Sequence, residues 1–476
     1  MVNEVVDAAR VRHAVVLGGG LAGLLTAAVL AGYAQRVTVV ERDRMPEGPQ
    51  PRKGTPQARH AHILMTSGVA AIETLVPGFT RRLLASGAHQ VTVRTGVLTC
   101  SANGWLPREG DFQQIVTCGR PLLDWTVREL VLTDDRITLL EETDADGLTG
   151  DARRVTGVRI RARRGEEADH TGHLDADLVV DATGRGSSAP SWLAALGVPP
   201  AREEKVDTGL AYSTRVFQAP YEAAGFPLVN VTADPGDPRP GQAGTLLPIE
   251  GGRWIVTLSG IRGSQPPSGE REFAEYARGL RHPVIADLIA AAEPVGPVHQ
   301  SRSTANCRRH YDQLPLWPAG FTVLGDAAAA FNPVYGHGMS VAAKEALALR
   351  SVLERHGPDP ARSRDFQRAV AGAARDAWTL AVGQDLRYLP DDGSQRRLPA
   401  RLLRRYLARF ARASASRPSV ASVAADLYTL SAPLSRVTAP RTVLGTLLGP
   451  AHPPLTAPPL TDDERRLLVS VTGVAY

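Results

Sequence analysis

The sequence predicts an α/β chain: a Rossmann-like nucleotide-binding domain, discontinuous in sequence, with an inserted mixed β-sheet domain and a helical C-terminal region. Three observations carry this. A strand, a glycine loop, a helix and a second strand open the chain within residues 13–41. Two further buried strands, each ending in an acidic turn, return at 175–184 and 321–326. The β-rich stretches between them alternate differently and belong to another sheet.

Taken in order, residues 13–17 (HAVVL) read as a short buried strand. Gly18, Gly20 and Gly23 follow, then an Ala/Leu-rich helix to about Ala31, stopped by Gly32. Residues 36–40 (RVTVV) are a second buried strand ending in Glu41, and 42–62 are a Pro/Gly/Arg-rich loop. Residues 63–87 are expected to be helical around the Pro77-Gly78 break. Strands are expected within 90–117, a helix at 120–132, and β-structure through 136–180 with Gly147, Gly150 and Gly165 at its turns. A second sheet is expected from 208–218, 243–248 and 253–259, with a hairpin turn at Glu250-Gly251-Gly252, then a helix over 270–292. A last buried strand at 321–324 runs into Gly325-Asp326, and 341–355 is a helix. The nucleotide-binding parts are thus expected at 10–88, 119–190 and 301–356, the substrate domain at 89–118 and 191–300, and C-terminal helices at 357–476. In those helices Leu402, Leu403, Tyr406, Leu407 and Phe410 make one apolar face with arginines mostly elsewhere, expected to pack on the body, the alternative being contact with a membrane or an acidic carrier protein.

Composition narrows the function classes. With 476 residues, 43% hydrophobic and 22% charged, the chain is globular in type and large enough for two or three lobes. A net charge of +5, nearly all from arginine, is mild for this length, and no compact basic module suggests nucleic-acid binding. Cys100, Cys118 and Cys307 are sparse and odd in number, against a disulfide framework. The N-terminus shows no signal-peptide pattern, and no run of about 18 apolar residues occurs, so a cytoplasmic protein without a transmembrane segment is expected.

The glycines carry the first chemistry. Gly18 permits the tight turn, Gly20 lets a pyrophosphate approach the helix N-terminus, and Gly23 allows close helix–strand packing. Glu41, eighteen residues after Gly23, stands at a strand end where it can accept hydrogen bonds from a ribose diol. Glu41 disfavours a 2′-phosphate there, although the adjacent Arg42 weakens that inference. Asp181-Ala182-Thr183-Gly184 forms a tight turn after a buried strand. Gly325-Asp326 ends another, and Pro333, Gly336 and Gly338 open a helix. Asp326 can accept hydroxyl hydrogens, and backbone N–H groups at 336–339 can meet negative charge. His60 and His62 have no third ligand nearby, so no metal site is expected.

Over residues 13–355 these motifs resemble the FAD-dependent aromatic hydroxylase-like monooxygenases, the group that also holds squalene epoxidases, flavin halogenases and prenyl reductases. The resemblance implies FAD as cofactor. Gly18, Gly20, Gly23 and Glu41 match the ADP-binding fingerprint, and Leu21, Ala22 and Arg42 beside them are expected to bind the cofactor. Arg120 matches an arginine that starts a helix near the flavin. Asp181, Ala182, Thr183 and Gly184 match a second ADP-side motif, and Asp326 a motif that meets the ribityl or pyrophosphate side. Pro333, Gly336, His337, Gly338 and Met339 match the flavin-side loop, with His337 touching the cofactor through its backbone. Arg52 or Arg59 is expected to pair with cofactor phosphates, as loop arginines of the family do.

Within that group, GTPQARHAHILMTSG, IETLVPGF and WTLAVGQDLRYL resemble bacterial polyether-type polyene epoxidases. This implies epoxidation of an alkene in a long apolar polyketide or terpenoid chain through a C4a-hydroperoxyflavin, with O2 as co-substrate, in a biosynthetic setting. No catalytic side chain is assigned, because the flavin carries the chemistry. Tyr212, Trp254, Phe331 and Asn332 are candidate pocket residues. The alternatives are aromatic hydroxylation by the same intermediate and oxygen-independent prenyl reduction. No second glycine fingerprint is seen for NAD(P)H, so electrons come from it directly or through a separate flavin reductase. A carrier protein presenting the substrate is a further possible partner.

Overall fold

The computed structural model describes residues 11–110, 113–163, 171–237, 241–390 and 398–476, of which 398–400 by backbone alone. Gly165 lies outside the described residues. Five parallel strands make the first sheet, in the order Phe321–Val323, Leu178–Asp181, Val11–Leu17, Ala34–Val40 and Ile137–Leu140. Their apolar residues are buried by layers on both faces, which is why they read as near-continuous apolar runs. The chain leaves Val11–Leu17 toward one edge and later returns to build the other. The carboxyl end of Val11–Leu17 is therefore the switch point, where open α/β sheets bind ligands.

Helices Leu21–Ala31, Thr66–Leu75, Arg120–Val131 and Gly338–His356 cover one face of this sheet. An antiparallel sheet of Thr143–Gly150, Val155–Ala162 and Thr171–Asp175, with helix Ala189–Ala195, covers the other. Gly147 is not at a turn: it lies inside Thr143–Gly150 opposite Arg159, beside a register shift. A Cβ there would stand 2.1 Å from the Arg159 Nη2, so glycine makes room for the cross-strand arginine.

The second lobe is a seven-stranded sheet in the order Glu293–Ser301, Ala211–Gln218, Arg253–Gly260, Ala243–Ile249, Leu228–Val231, Val97–Ser101 and Gly104–Trp105. Its central hairpin turns at Glu250-Gly251-Gly252, with φ of +75° and +64° at the two glycines. The expected helix over 270–292 is two helices, Glu270–Arg278 and Val284–Ala290. Gly279 caps the first, and Pro283, which lacks an N–H, begins the second. Both pack on one face of the sheet, against Phe217, Trp254, Val256 and Leu258. The opposite face, with Tyr212, Thr214 and Thr257, turns toward the nucleotide-binding lobe.

The C-terminal region begins with Ser363–Asp385, which lies along Gly338–His356. Helices Leu398–Ser416, Pro418–Tyr428 and Pro440–Leu448 pack together, and Asp462–Thr472 returns to the Val284–Ala290 helix. The apolar face of Leu398–Ser416 does not pack as expected. Tyr406 and Phe410 are half-buried, while Leu402, Leu403 and Leu407 stand exposed. The segment Leu434–Thr438 covers only one edge of that face, where the Tyr406 hydroxyl donates to the Val437 carbonyl at 2.6 Å. Among the described residues no helix is long and apolar enough to cross a membrane.

Candidate active site

The glycine loop joins two strand ends. Gly18 has φ +96°, and a Cβ there would meet the Ala182 carbonyl oxygen at 2.8 Å, so this loop and the 181–184 turn touch. A Cβ on Gly23 would stand 1.8 Å from the Gly18 carbonyl oxygen, which fixes Gly23 as the close-packing glycine. Gly20 caps helix Leu21–Ala31, and the nearest neighbour of a Cβ there is Arg52 Nη2 at 3.8 Å. The backbone at Gly20 is thus open, beside the first-turn N–H groups of Leu21, Ala22 and Gly23, which have no intrahelical acceptor.

Glu41 is buried with its carboxylate turned onto this loop. It accepts from Gly19 N–H at 2.8 Å and Asp43 N–H at 2.9 Å, and Arg52 Nη1 lies 2.8 Å away. Arg52 also lies near Asp43, at 3.4 Å. Of the two loop arginines, Arg52 reaches the glycine loop. Arg59 does not: it extends to His299 Nδ1, at 3.4 Å, on the edge strand of the second sheet. Arg42 is exposed. A small cleft lined by Gly19, Met45, Arg52, Trp125 and Arg128 opens beside this end of the site.

Asp181 is fully buried and faces inward. It accepts from Thr183 N–H, Thr183 Oγ1 and Ser187 Oγ, at 2.6–2.9 Å. Its carboxylate therefore shapes the turn that Ala182, Thr183 and Gly184 complete, and does not itself face a ligand. Asp326 does. Protein surrounds it, yet its side chain is 38% exposed, so it borders a hollow. Burial raises its pKa, opposed by the nearby charges of Arg185 and Arg120.

Arg185 was not legible as a site residue. Its Nε lies 3.5 Å from Asp326, its Nη1 donates to the Ala305 carbonyl at 2.8 Å, and its Nη2 donates to that of Phe331. One guanidinium thus links the 181–184 turn, Asp326 and the start of the 332–338 loop. The only local signal was an arginine directly after Gly184.

Glu345 was also missed. It is buried on helix Gly338–His356, accepts from Gly325 N–H at 2.6 Å, and its Oε1 has no partner among the described residues. Burial pushes its pKa up to about 8, and the neighbouring Asp326 adds to the rise. The folded value lies above the ordinary 4.5, so folding takes up a proton. That contribution is complete below pH 4.5 and is lost as pH rises through about 8. Glu345→Gln should flatten the loss, gaining about 2–4 kcal/mol on wild type between pH 5 and pH 9. Urea melts at the two pH values check this; an unchanged slope would place the titration elsewhere.

The loop of residues 332–338 is held from behind. Asn332 caps Pro333–Tyr335 through Val334 N–H, Gly336 has φ +67°, and Gly338 starts the helix, with a Cβ there 3.8 Å from Asp326 Oδ1. The helix N-terminus and Asp326 therefore share one space. Behind them Asp385 accepts from Asn306 Nδ2 at 2.6 Å, from Asn332 Nδ2 at 3.1 Å, and from the Tyr335 hydroxyl. Met339 and the ring of His337 are buried. Burial lowers the His337 pKa to about 4, opposed by the Tyr428 backbone beside the ring, and leaves a neutral imidazole.

The four candidate pocket residues divide. Tyr212 OH reaches Asn332 Oδ1 at 3.3 Å, tying the second sheet to the loop. Asn332 itself is consumed in the loop's support. Phe331 packs on Trp378 in a separate apolar cluster. Trp254 is not in the pocket: it points to the helix-covered face with Phe217 and Phe273, because period-two alternation puts it opposite Ile255 and Thr257. The missed neighbours are His60 and His62. His60 Nδ1 lies 2.8 Å from Thr214 Oγ1, and His62 Nδ1 lies 2.8 Å from the His60 carbonyl. Burial lowers both, to about 4 and about 3; His299 adds to the first shift and Arg120 to the second. Among the described residues no cluster of three or more His, Cys, Asp or Glu could hold a metal.

An open glycine cradle, a helix N-terminus without a side-chain cap and an outward Asp326 fit a dinucleotide with a long polyol link, so the fold and site define a flavoprotein. The chain belongs to the FAD binding domain family, the flavin-dependent aromatic-hydroxylase-like monooxygenases, whose model matches residues 12–379. It is 31% identical over 381 residues to Protein Rv3254 of Mycobacterium tuberculosis (strain ATCC 25618 / H37Rv), covering 78% of this chain and 80% of that one. It is 27% identical over 357 residues to a 6-methylpretetramide 4-monooxygenase of Streptomyces rimosus, covering 71% and 74%. The flavin-dependent brominase Bmp2 has the same fold, with a TM-score of 0.61, 14% identity, and coverage of 88% and 93%.

Proposed function

We propose that this chain is an FAD-dependent monooxygenase that transfers one atom of O2 to an unsaturated carbon of an oxygen-bearing ring substrate, producing a hydroxylated ring. The observation that carries the reading is the polar strip of Tyr212, Thr214 and Thr257 on the sheet face that meets the flavin-side loop, with His60 against it. The named activity of the Streptomyces relative supports it. Bound FAD supplies oxygen activation, with electrons from NAD(P)H, taken directly or through a reductase.

The chain's own residues do the rest. Gly20, the helix start at Leu21 to Gly23, Glu41 and Arg52 would hold the ADP side. Asp326, kept in place by Arg185, would hold the polyol link, and the backbone from Gly336 to Met339 would face the ring system. His60 and His62 are neutral through the physiological range, and their Nε2 atoms have no partner among the described residues. They suit hydrogen bonds to a substrate hydroxyl or carbonyl. The apolar pair Val216 and Ile255 continues the same strip and favours a second reading, epoxidation of an alkene in an apolar chain.

Turnover under 18O2 should put one labelled atom in the product. Label on a ring carbon supports hydroxylation, and label in an oxirane supports epoxidation. Label drawn only from water, or product formed without oxygen, would overturn both. NADPH consumption by the purified chain alone separates direct reduction from reduction by a partner.

A further inference from the structure

The helices Leu398–Ser416 and Pro440–Leu448 leave their leucines uncovered. Leu402, Leu403 and Leu407 on the first, and Leu444, Leu447 and Leu448 on the second, are 42–61% exposed. The two helices are adjacent: Arg409 Nε donates to the Thr446 carbonyl at 3.0 Å, and its Nη2 donates to that of Leu447. Exposed leucines scattered singly are ordinary; six on two touching helices are not.

The same stretch is strongly basic. Residues 398–450 hold eight arginines and one carboxylate, Asp426, a surplus of seven positive charges. The whole chain has a net charge of +5, so the remainder is slightly acidic. Arg401, Arg405, Arg412 and Arg441 are exposed and make no ion pair with any described residue. At 100° per residue, Arg401, Arg405 and Arg412 fall opposite the centre of the leucine face. This is the pattern of a helix lying in an interface, with leucines in the acyl boundary and arginines reaching the headgroups.

We propose that this face binds an anionic lipid bilayer surface peripherally, holding the enzyme at a membrane without a spanning segment. A second copy of the chain is disfavoured as occupant, since seven surplus positive charges would meet seven more. Leucines that stand out from their helices suit a fluid apolar phase, and the charge surplus selects anionic headgroups.

The test is flotation of the full-length protein with vesicles. Binding is expected to mixed phosphatidylcholine–phosphatidylglycerol vesicles and not to phosphatidylcholine alone, and to fall as salt rises. Arg405→Glu with Arg412→Glu should weaken it at least about tenfold. Leu403→Ser with Leu447→Ser should do the same with unchanged flavin content, because both sites are exposed and outside the core. Equal binding to neutral vesicles, no binding to either, or indifference to both double variants would overturn the proposal. So would sedimentation showing a dimer that the leucine variant dissolves, or binding to soluble polyglutamate but not to anionic vesicles.

Discussion

Gly23→Val is expected to yield protein that neither retains flavin nor folds stably. Its Cβ would stand 1.8 Å from the Gly18 carbonyl oxygen, a backbone atom on the strand-to-helix turn. The turn cannot yield without moving Gly18, which itself abuts Ala182. A backbone overlap of this kind in a packed core costs about 3 kcal/mol or more. Gly20→Ala makes the informative contrast. Gly20 has φ −79°, and a Cβ there has 3.8 Å of clearance, so the fold should survive within about 1 kcal/mol. The new methyl occupies the approach of a pyrophosphate, so flavin affinity should still fall at least about tenfold. Flavin-to-protein absorbance ratios and thermal melts on the two variants separate the roles. A Gly23→Val protein with native melting and full flavin content would refute the packing argument, and undiminished flavin in Gly20→Ala would refute the phosphate cradle.

These glycines were legible because their function is local. Turn, cap and close packing are decided within a dozen residues, and so is the hairpin at Gly251 and Gly252. The return of the chain to one sheet at 178–181 and 321–323 was legible because each strand ends in a turn motif. What failed depends on neighbours distant in sequence. Both faces of the seven-stranded sheet are covered, so alternation around Trp254 shows that the strand is buried without showing which face meets the cofactor lobe. The leucines of Leu398–Ser416 follow the same periodicity whether a protein surface covers them or not. Arg185, Glu345 and Asp385 are charges whose partners lie 20 to 146 residues away, and only the fold brings them together. The break in 270–292 is marked in the sequence by Gly279 and Pro283.

Asp385→Ala is expected to be the most damaging substitution behind the 332–338 loop. Asp385 is buried at the end of Ser363–Asp385 and accepts from Asn306, Asn332 and Tyr335, which lie on two other segments. Removing the carboxylate strands three donors, the buried Asn306 and Asn332 amides and the half-buried Tyr335 hydroxyl, each buried one costing about 1–3 kcal/mol when left unpaired. Because the three relax together, a total loss of about 3–5 kcal/mol is expected. Asp385→Asn retains one acceptor oxygen but turns an amide N–H2 toward existing donors, so it should fall between Ala and wild type. Asn332 also caps the loop and meets Tyr212, so the damage should extend to the substrate side. In the Asn variant, kcat should fall more than flavin affinity, since Arg185 and Asp326 are untouched while the loop facing the ring system loses its support. A variant that melts early yet keeps wild-type kcat would show that Asp385 stabilises the fold alone. Unchanged stability in Asp385→Ala would show that the network bears little weight, and the loop's geometry would then have to be held by Asn332 and Gly336 themselves.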